Sequence, residues 1–194
     1  KWMHIAGVEI ERNEKIFRII IKSSRPGLII GRSGEGATKL RKDVDMLMRT
    51  LKLTEKPEIK IDIEEVRSPE TSASIVGQMV VEGLEKRMPF RRVMKMTAEK
   101  VMANRDVMGI RIISSGRLGG AEMARKEEIK KGRIPLQTLR ADIDFARETA
   151  TLPYGAIGVK VWIYRGDIFT DRKANAEVQA TEKDRRTRST PQAA

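Results

Sequence analysis

The sequence predicts an α+β protein built from two successive α+β units and a polar tail, over residues 1–66, 67–170 and 171–194. Two observations favour this fold class. In the first unit, two strand-like apolar runs lead into a Gly-x-x-Gly loop, an amphipathic helix and a further strand. In the second unit, two helical stripes precede strands with alternating apolar and polar residues, which predicts an antiparallel sheet with one face covered by the helices.

The first unit opens with a predicted β-hairpin over residues 5–12 and 16–23. Val8 and Ile10 alternate with Glu9 and Glu11, and residues 12–14 supply the turn. Residues 16–21 are nearly all apolar, which is typical of a central strand buried on both faces. His4, the only histidine, is predicted to be solvated or to flank the first strand.

A short helical turn is predicted from Pro26, and a longer helix follows the loop of residues 31–34. A strand with alternating isoleucines then covers residues 59–63. The order strand, strand, short helix, loop, helix, strand is that of the later part of a type II KH domain, whose first helix would lie before residue 1. The predicted core stripe of the longer helix is Ala37, Leu40, Val44, Leu47, Met48 and Leu51.

The Gly-x-x-Gly loop is the first candidate site for RNA. Glycine has no Cβ, so the backbone can approach a sugar-phosphate chain closely, and the helix after the loop offers free N–H groups to phosphates. KH domains clamp about four nucleotides with such a loop. The predicted RNA-binding residues of the loop are Gly31, Arg32, Ser33 and Gly34.

The second unit begins with two predicted helices, and three strand-like patterns follow them. A strand contains Ile110 and Ile112, another alternates from Leu139 to Phe145, and the last covers residues 157–164. Beyond Asp171 large apolar residues are few, so a disordered tail is expected. The helical stripes are Ile75, Val76, Met79, Val80, Gly83 and Leu84 in the first helix and Phe90, Val93, Met94, Thr97, Val101 and Met102 in the second.

Charge and composition exclude several classes of function. The net charge is +12 with a pI near 10.1, so a polyanion is the expected partner. The chain has no cysteine and one histidine, which removes disulfides, thiolate metal sites and cysteine nucleophiles, and no metal or other cofactor is expected. No apolar run approaches the roughly 20 residues of a membrane span, so a membrane is not an expected partner.

The densest cationic segment is residues 86–95, with five basic residues and no acidic one. Its Arg91, Arg92 and Lys95 share a helix face opposite Phe90 and Val93. This is either an ordinary solvated face or a binding site for a polyanion, which explains the repelling like charges better. A second basic region covers residues 116–140. There a tight glycine loop would hold Arg117 against a phosphate, and an exposed hairpin that turns at Gly132 would follow.

Two further features have competing interpretations. Asp142 and Asp144 lie two apart on a strand, so they could hold a metal, but pairing with Arg140, Lys160 or Arg147 is the simpler interpretation. Aromatic residues are scarce, which favours recognition of RNA backbone and shape over base reading. Trp162 and Tyr164 share a strand face, where they would either stack on bases or cover the sheet.

The chain resembles the family of the third protein of the small ribosomal subunit, of bacterial type. The most specific matches are residues 115–122 (SGRLGGAE) and 138–144 (TLRADID). Further matches lie at residues 25–35, 90–95, 132–136 and 154–162, so the resemblance spans about residues 16–168. The loop departs from the family pattern, which has two basic residues between the glycines where this chain has Arg32 and Ser33.

The resemblance implies a type II KH domain joined to an α+β C-terminal domain in the head of the small subunit, on the cytoplasmic ribosome. It implies binding to small-subunit ribosomal RNA, neighbouring proteins ten and fourteen, and a position at the channel through which messenger RNA enters. The family residues that help to unwind message match Arg91, Arg92 and Lys95. The ribosomal RNA contacts expected here are Arg87, Arg117, Arg125, Lys130, Lys131, Arg133 and Arg140.

Two alternative functions belong to other classes. A free-standing KH regulator of RNA would concentrate its affinity in the loop of residues 31–34. A nuclease or DNA-repair lyase would depend on Asp142 and Asp144, but the chain has only one histidine and no cysteine to support such chemistry. We therefore expect a structural, non-enzymatic role in translation.

Overall fold

The first α+β unit is a three-stranded sheet with a helical hairpin beside it. The computed structural model describes residues 3–13, 16–50 and 58–168. The sheet has the order β1-β2-β3, in which β2 pairs antiparallel with β1 and parallel with β3, as the predicted type II KH topology requires. Its elements are β1 (Ile5–Arg12), β2 (Ile16–Ser23), α1 (Pro26–Ile30), α2 (Glu35–Thr50) and β3 (Glu58–Glu65).

The core of this unit is small, and the predicted helical stripe contributes less to it than expected. Ile20 and Ile21 of the central strand are both buried, together with Ile29 of α1 and Ile59 of β3. No side chain of α2 is buried, and Leu47 is 65% exposed, so its assignment to the core was wrong. The other stripe residues Ala37, Leu40, Val44 and Met48 are half-buried, and Leu51 lies outside the described residues, as do Glu14 of the predicted turn and the predicted tail.

The second α+β unit is a four-stranded antiparallel sheet with two helices on one face, as predicted. The strand order is β5-β4-β7-β6. Met94, Ile110, Ile112, Val161 and Ile163 are fully buried between the helices and the sheet. The elements are α3 (Ala73–Glu85), α4 (Phe90–Met102), β4 (Gly109–Gly116), β5 (Arg125–Gly132), β6 (Ala141–Leu152) and β7 (Gly155–Asp167).

The register of β6 differs from the expected alternation. Leu139 precedes the strand and is fully exposed, and Phe145 lies on the open face of the sheet, opposite Trp162. A bulge between Asp142 and Ile143 shifts the pairing with β7 at the start of the strand. The extra residue of this bulge is Arg165 of β7, and β6 itself alternates regularly, with the carboxylate of Asp144 and not the Phe145 ring on the helix side.

The predicted turn at Gly132 was also wrong. Gly132 is the last residue of β5 and pairs with Gly109 of β4. The hairpin formed by β4 and β5 turns at the other end of these strands, through residues 117–124. The segment expected to be a solvated hairpin is therefore an edge strand whose cations are arranged along the sheet.

The two units are in direct contact through the start of β1 and helix α3. His4 is 2% exposed, and its Nε2 lies 2.9 Å from Oε2 of Glu82, so the prediction of a solvated histidine was wrong, although it does flank β1. The side-chain amide of Gln78 accepts from the backbone N–H of Ile5 at 2.9 Å and donates to its carbonyl at 3.0 Å. Ser74 Oγ donates to the same carbonyl.

Glu82 makes this contact sensitive to acid. Hydrogen bonds from Lys86 and then from His4 hold the pKa of Glu82 below its ordinary value. A lowered carboxyl pKa contributes stability at pH values above the ordinary carboxyl pKa, and that stability is lost as the pH falls through the lowered value. In urea unfolding, Glu82→Gln is expected to cost about 1–3 kcal/mol at pH 7.

The difference between Glu82→Gln and the parent protein should disappear once acid protonates Glu82. Unfolding curves at a series of pH values check this prediction, with Glu65→Gln as the control because Glu65 is exposed on β3. A difference that persisted below the pKa of Glu82 would show that the charge is not what stabilises the contact.

Candidate nucleic-acid interface

The Gly-x-x-Gly loop has the backbone geometry that its glycines predict. Gly31 and Gly34 have φ angles of 72° and 79°, in the region that favours glycine, and Ser33 between them also has a positive φ of 53°. Arg32 and Ser33 are exposed. The loop therefore presents its backbone and one cation to solvent, where a sugar-phosphate chain could approach it.

The outer face of the KH sheet is balanced in charge. Arg18 pairs with Asp62 and Glu11, and Lys22 pairs with Glu9 across neighbouring strands. The hydrogen bond that Arg18 donates to Asp62 raises the pKa of Arg18, and the one that Lys22 donates to Glu9 raises the pKa of Lys22. Because these cations already have carboxylate partners, this face offers little net positive charge to RNA.

The predicted messenger RNA cluster lies on the solvent face of α4. Arg91, Arg92 and Lys95 are exposed, while Val93 and Met94 on the other face are buried in the core. Within the described part of the chain, Arg92 and Lys95 have no ion-pair partner, whereas Arg91 Nη2 lies 3.2 Å from Oε1 of Glu127. We refer to Arg91, Arg92 and Lys95 as the α4 cluster.

Packing of α4 beside β5 brings two predicted ribosomal RNA residues to the α4 cluster. Arg125 lies 3.6 Å from Glu127, the carboxylate that Arg91 also contacts. Lys131 donates to Oε1 of Glu99 at 2.8 Å, and this hydrogen bond, with the charges of Lys131 and Lys95, lowers the pKa of Glu99. The helix and the edge strand thus form one basic surface in which cations outnumber carboxylates.

Lys130 lies on the opposite, open face of the sheet. Its neighbour there is the bidentate pair of Arg111 with Glu128, at 2.8 and 3.0 Å, which lowers the pKa of Glu128. The Arg111 guanidinium stacks over Trp162 at 5.1 Å, and the ring centroids of Trp162 and Phe145 are 5.0 Å apart. Trp162 therefore covers the open face of the sheet, in contact with Phe145 and Arg111, while Tyr164 is buried.

Arg133 and Arg140 lie near each other at another corner of the second unit. Arg140 Nε donates to Asp167 at 2.9 Å, and the positive charges of both arginines help to lower the pKa of Asp167. The Tyr164 hydroxyl donates to the same carboxylate at 2.7 Å, which lowers the pKa of Asp167 and raises the pKa of Tyr164.

Arg87 and Arg117 lie together beside a pocket between the α3–α4 junction and the β4–β5 connection. Arg117 is half-buried, and it donates to the carbonyl oxygens of Ala121 at 2.8 Å and Tyr154 at 3.3 Å. Arg87 is exposed and has a positive φ of 59°. Arg117 therefore holds the glycine loop in place, in addition to supplying charge.

The paired aspartates are occupied by other groups of the protein. Asp144 accepts from the N–H of Ala73 at 2.8 Å, at the start of α3, and from Arg165 at 2.7 Å. Asp142 lies 3.9 Å from Arg165. The partner is thus Arg165, not Arg140, Lys160 or Arg147. Arg165 is the extra residue of β7 at the bulge, between the pairs Asp142–Gly166 and Ile143–Tyr164.

Among the described residues, no group of three or more histidine, cysteine, aspartate or glutamate residues could hold a metal ion. None of the described helices is long and apolar enough to cross a membrane. Sequence reasoning missed Arg111, Tyr154 and Arg165. The partners of these residues lie on other strands or loops. The only sequence signal is the alternating pattern of the strands in which Arg111 and Arg165 lie.

Comparison with known proteins assigns both units. Residues 1–71 match the family model described as KH domain, and residues 80–163 match the one described as Ribosomal protein S3, C-terminal domain. Small ribosomal subunit protein uS3 of Caldicellulosiruptor saccharolyticus is 44% identical over 173 residues, which are 89% of this chain and 75% of that protein.

Two further relatives have the same name and similar coverage. The Clostridium novyi protein is 44% identical, again over 89% of this chain and 75% of its own length. The Alcanivorax borkumensis protein is 45% identical over 92% of this chain and 74% of its own length. The family that the SGRLGGAE and TLRADID motifs indicate is therefore confirmed. The chain belongs to the family of small ribosomal subunit protein uS3.

Proposed function

We propose that the α4 cluster binds messenger RNA where it enters the small ribosomal subunit and helps to unwind it. As a member of the uS3 family, the chain is a structural, non-enzymatic and RNA-binding constituent of the small ribosomal subunit on the cytoplasmic ribosome. The observation that carries the proposal is the exposure of three neighbouring cations, Arg91, Arg92 and Lys95, on one face of a helix anchored by buried residues.

The mechanism is passive and electrostatic. The cations of α4 attract the phosphates of the message and release its counterions, so they hold a strand that has separated from its partner and slow its return to the hairpin. The rigid attachment of α4 through Val93 and Met94 keeps the cations in place while the message moves past them.

We further propose that the other cations contact ribosomal RNA, and that proteins ten and fourteen of the head are the neighbours of this chain. Arg125 and Lys131 extend the basic surface beside α4, and Arg133 with Arg140 forms a second cationic corner. The exposed loop of residues 31–34 supplies a separate backbone contact. We also propose the division of the chain after residue 66, which falls between β3 and α3.

Neutralising the α4 cluster tests the proposal. In Arg91→Gln, Arg92→Gln, Lys95→Gln, loss of three phosphate contacts should lower the slope of log affinity against log salt for single-stranded RNA by about 2. Ribosomes with this variant should translate an unstructured message normally and slow down at stable hairpins. The control Arg12→Gln, Lys60→Gln, Arg67→Gln removes the same charge from exposed positions of the KH unit and the segment after it.

Equal rates through hairpins for the triple variant and the parent ribosomes would contradict the unwinding role. Sedimentation of the tagged chain with the small subunit in high salt, for both variants, is the accompanying check on assembly. A variant that no longer co-sediments would place the α4 cluster in ribosomal RNA binding instead.

A further inference from the structure

A pocket of about 270 Å³ opens beside the α4 cluster, between the α3–α4 junction and the β4–β5 connection. Its floor is apolar, because Leu84 and Ile157 are buried beneath it. The rings of Phe90 and Tyr154 line its sides, and Tyr154 is 64% exposed. An open pocket with two aromatic rings is a concave and mostly apolar site of the kind that takes a small planar group.

Guanidinium groups accompany both rings. Arg117 lies 5.9 Å from the centroid of the Tyr154 ring, and Arg125 lies 5.5 Å from that of Phe90. Arg87 also lines the pocket, and none of the described residues that line it has a carboxylate. Aromatic rings and arginine planes are the surfaces on which proteins stack unpaired RNA bases, and the absence of acidic lining favours an anionic partner.

The backbone of the glycine loop keeps the pocket open. Gly119 and Gly120 have φ angles of 70° and 81°, which glycine adopts readily. A Cβ on Gly120 would lie 3.6 Å from the Tyr154 ring, so its absence leaves space beside the face of that ring. Arg117 donates to the backbone carbonyl of Tyr154 and so holds the segment that carries this ring, which lowers the entropy lost when a base stacks there.

The pocket adjoins the α4 cluster. Phe90, at the first position of α4, lines both the pocket and a neighbouring depression that includes Arg91 and Lys95. A strand whose phosphates follow the cluster therefore passes the mouth of the pocket. We propose that the pocket binds one unstacked nucleobase of this single-stranded RNA, an inference that rests on the proposed role of the α4 cluster.

A nucleobase suits the lining better than a protein side chain does. An apolar side chain would cover the exposed guanidinium of Arg87 without offering it an acceptor, and burying unpaired charge is costly. A base offers a π-face to Tyr154 and ring acceptors to a guanidinium, while its phosphates stay in solvent beside Arg91. Holding one base out of the helical stack would also oppose re-pairing of a message that has just been unwound.

Two oligonucleotides of equal length and charge separate base binding from phosphate binding: octaadenylate and an octamer of abasic ribose phosphates. Affinity of the full chain is measured for both at one salt concentration. In Tyr154→Ser, the affinity for octaadenylate should fall about 5- to 100-fold, while the affinity for the abasic octamer stays unchanged. Tyr154→Phe should keep both affinities, because it retains the stacking ring.

Phe145→Ser is the matched control, since Phe145 is another exposed ring in the same unit but lies on the open face of the sheet. Unchanged octaadenylate binding in Tyr154→Ser, or an equal loss for both octamers, would overturn the base site. The first outcome would indicate that the pocket binds a side chain of a neighbouring protein and not a base. If the octamers then still lost affinity on neutralising the α4 cluster, the proposed function would stand without the base site.

Discussion

Replacing Gly36 with alanine is expected to destabilise the KH unit, although the residue lies in the first turn of a helix. Glycine inside a helix ordinarily costs up to about 1 kcal/mol relative to alanine, so the substitution should be favourable on propensity alone. Here an added Cβ would press against the Ile29 carbonyl oxygen, far inside van der Waals contact, and lie 3.0 Å from the Ile30 carbonyl oxygen. Both obstacles are backbone atoms and cannot rotate away.

The close approach at Gly36 sets the angle between α1 and α2, and with it the shape of the loop between them. We expect a net loss of about 1–3 kcal/mol or more, as for other overpacked sites. Gly27→Ala is the matched control, because that glycine is also helical but a Cβ there would meet nothing within 4 Å. It should be neutral or slightly stabilising.

Hydrogen exchange resolves the two units, which a single unfolding curve does not. In Gly36→Ala, the amides of β2 should exchange faster while those of β7 keep their protection. Equal protection of β2 in Gly36→Ala and Gly27→Ala would mean that α2 can move away from α1 at no cost. The Gly-x-x-Gly pattern alone does not single out this third glycine, because its role depends on a contact between two helices.

Local patterns predicted the fold well where each element buries one regular face. The hairpin of β1 and β2 and the helices α3 and α4 lie where periodicity indicated, since their apolar positions meet the core at constant spacing. The face of β6 was not predictable in this way, because Phe145 packs against Trp162 on the open face and Asp144 accepts a hydrogen bond from Ala73 on the helix side. Leu47 was misplaced because the small KH core does not reach the far side of α2.

In the candidate site too, residues on one regular exposed face were predictable and residues that depend on tertiary contacts were not. Charge density alone indicated Arg91, Arg92 and Lys95, because cations on one exposed helix face need no tertiary partner to be recognised. The partners of the other cations depend on strand pairing, as when Arg165 and not Arg140 reaches Asp144. The pocket at Tyr154 depends on the meeting of a helix junction with two loops, which no sequence spacing encodes.

Replacing Met94 with alanine is expected to cause the largest loss of stability in the second unit. Met94 is fully buried in the core on α4, among side chains such as Val80 and Ile112. Truncating a buried methionine to alanine removes the burial energy and leaves a cavity, which together cost about 2–5 kcal/mol. Met96→Ala, on the same helix at a position 51% exposed, should change stability by less than about 0.5 kcal/mol.

The pair of methionine variants also separates the anchoring of α4 from its charge. Below the thermal transition, Met94→Ala should bind single-stranded RNA with the same salt slope as the parent protein, because the α4 cluster keeps all three cations. Near the transition, its binding should fail together with the exchange protection of α4, since the cations then lose their common face. A lower salt slope in the fully folded variant would contradict this mechanism, because the slope would then depend on core packing and not on the number of phosphate contacts.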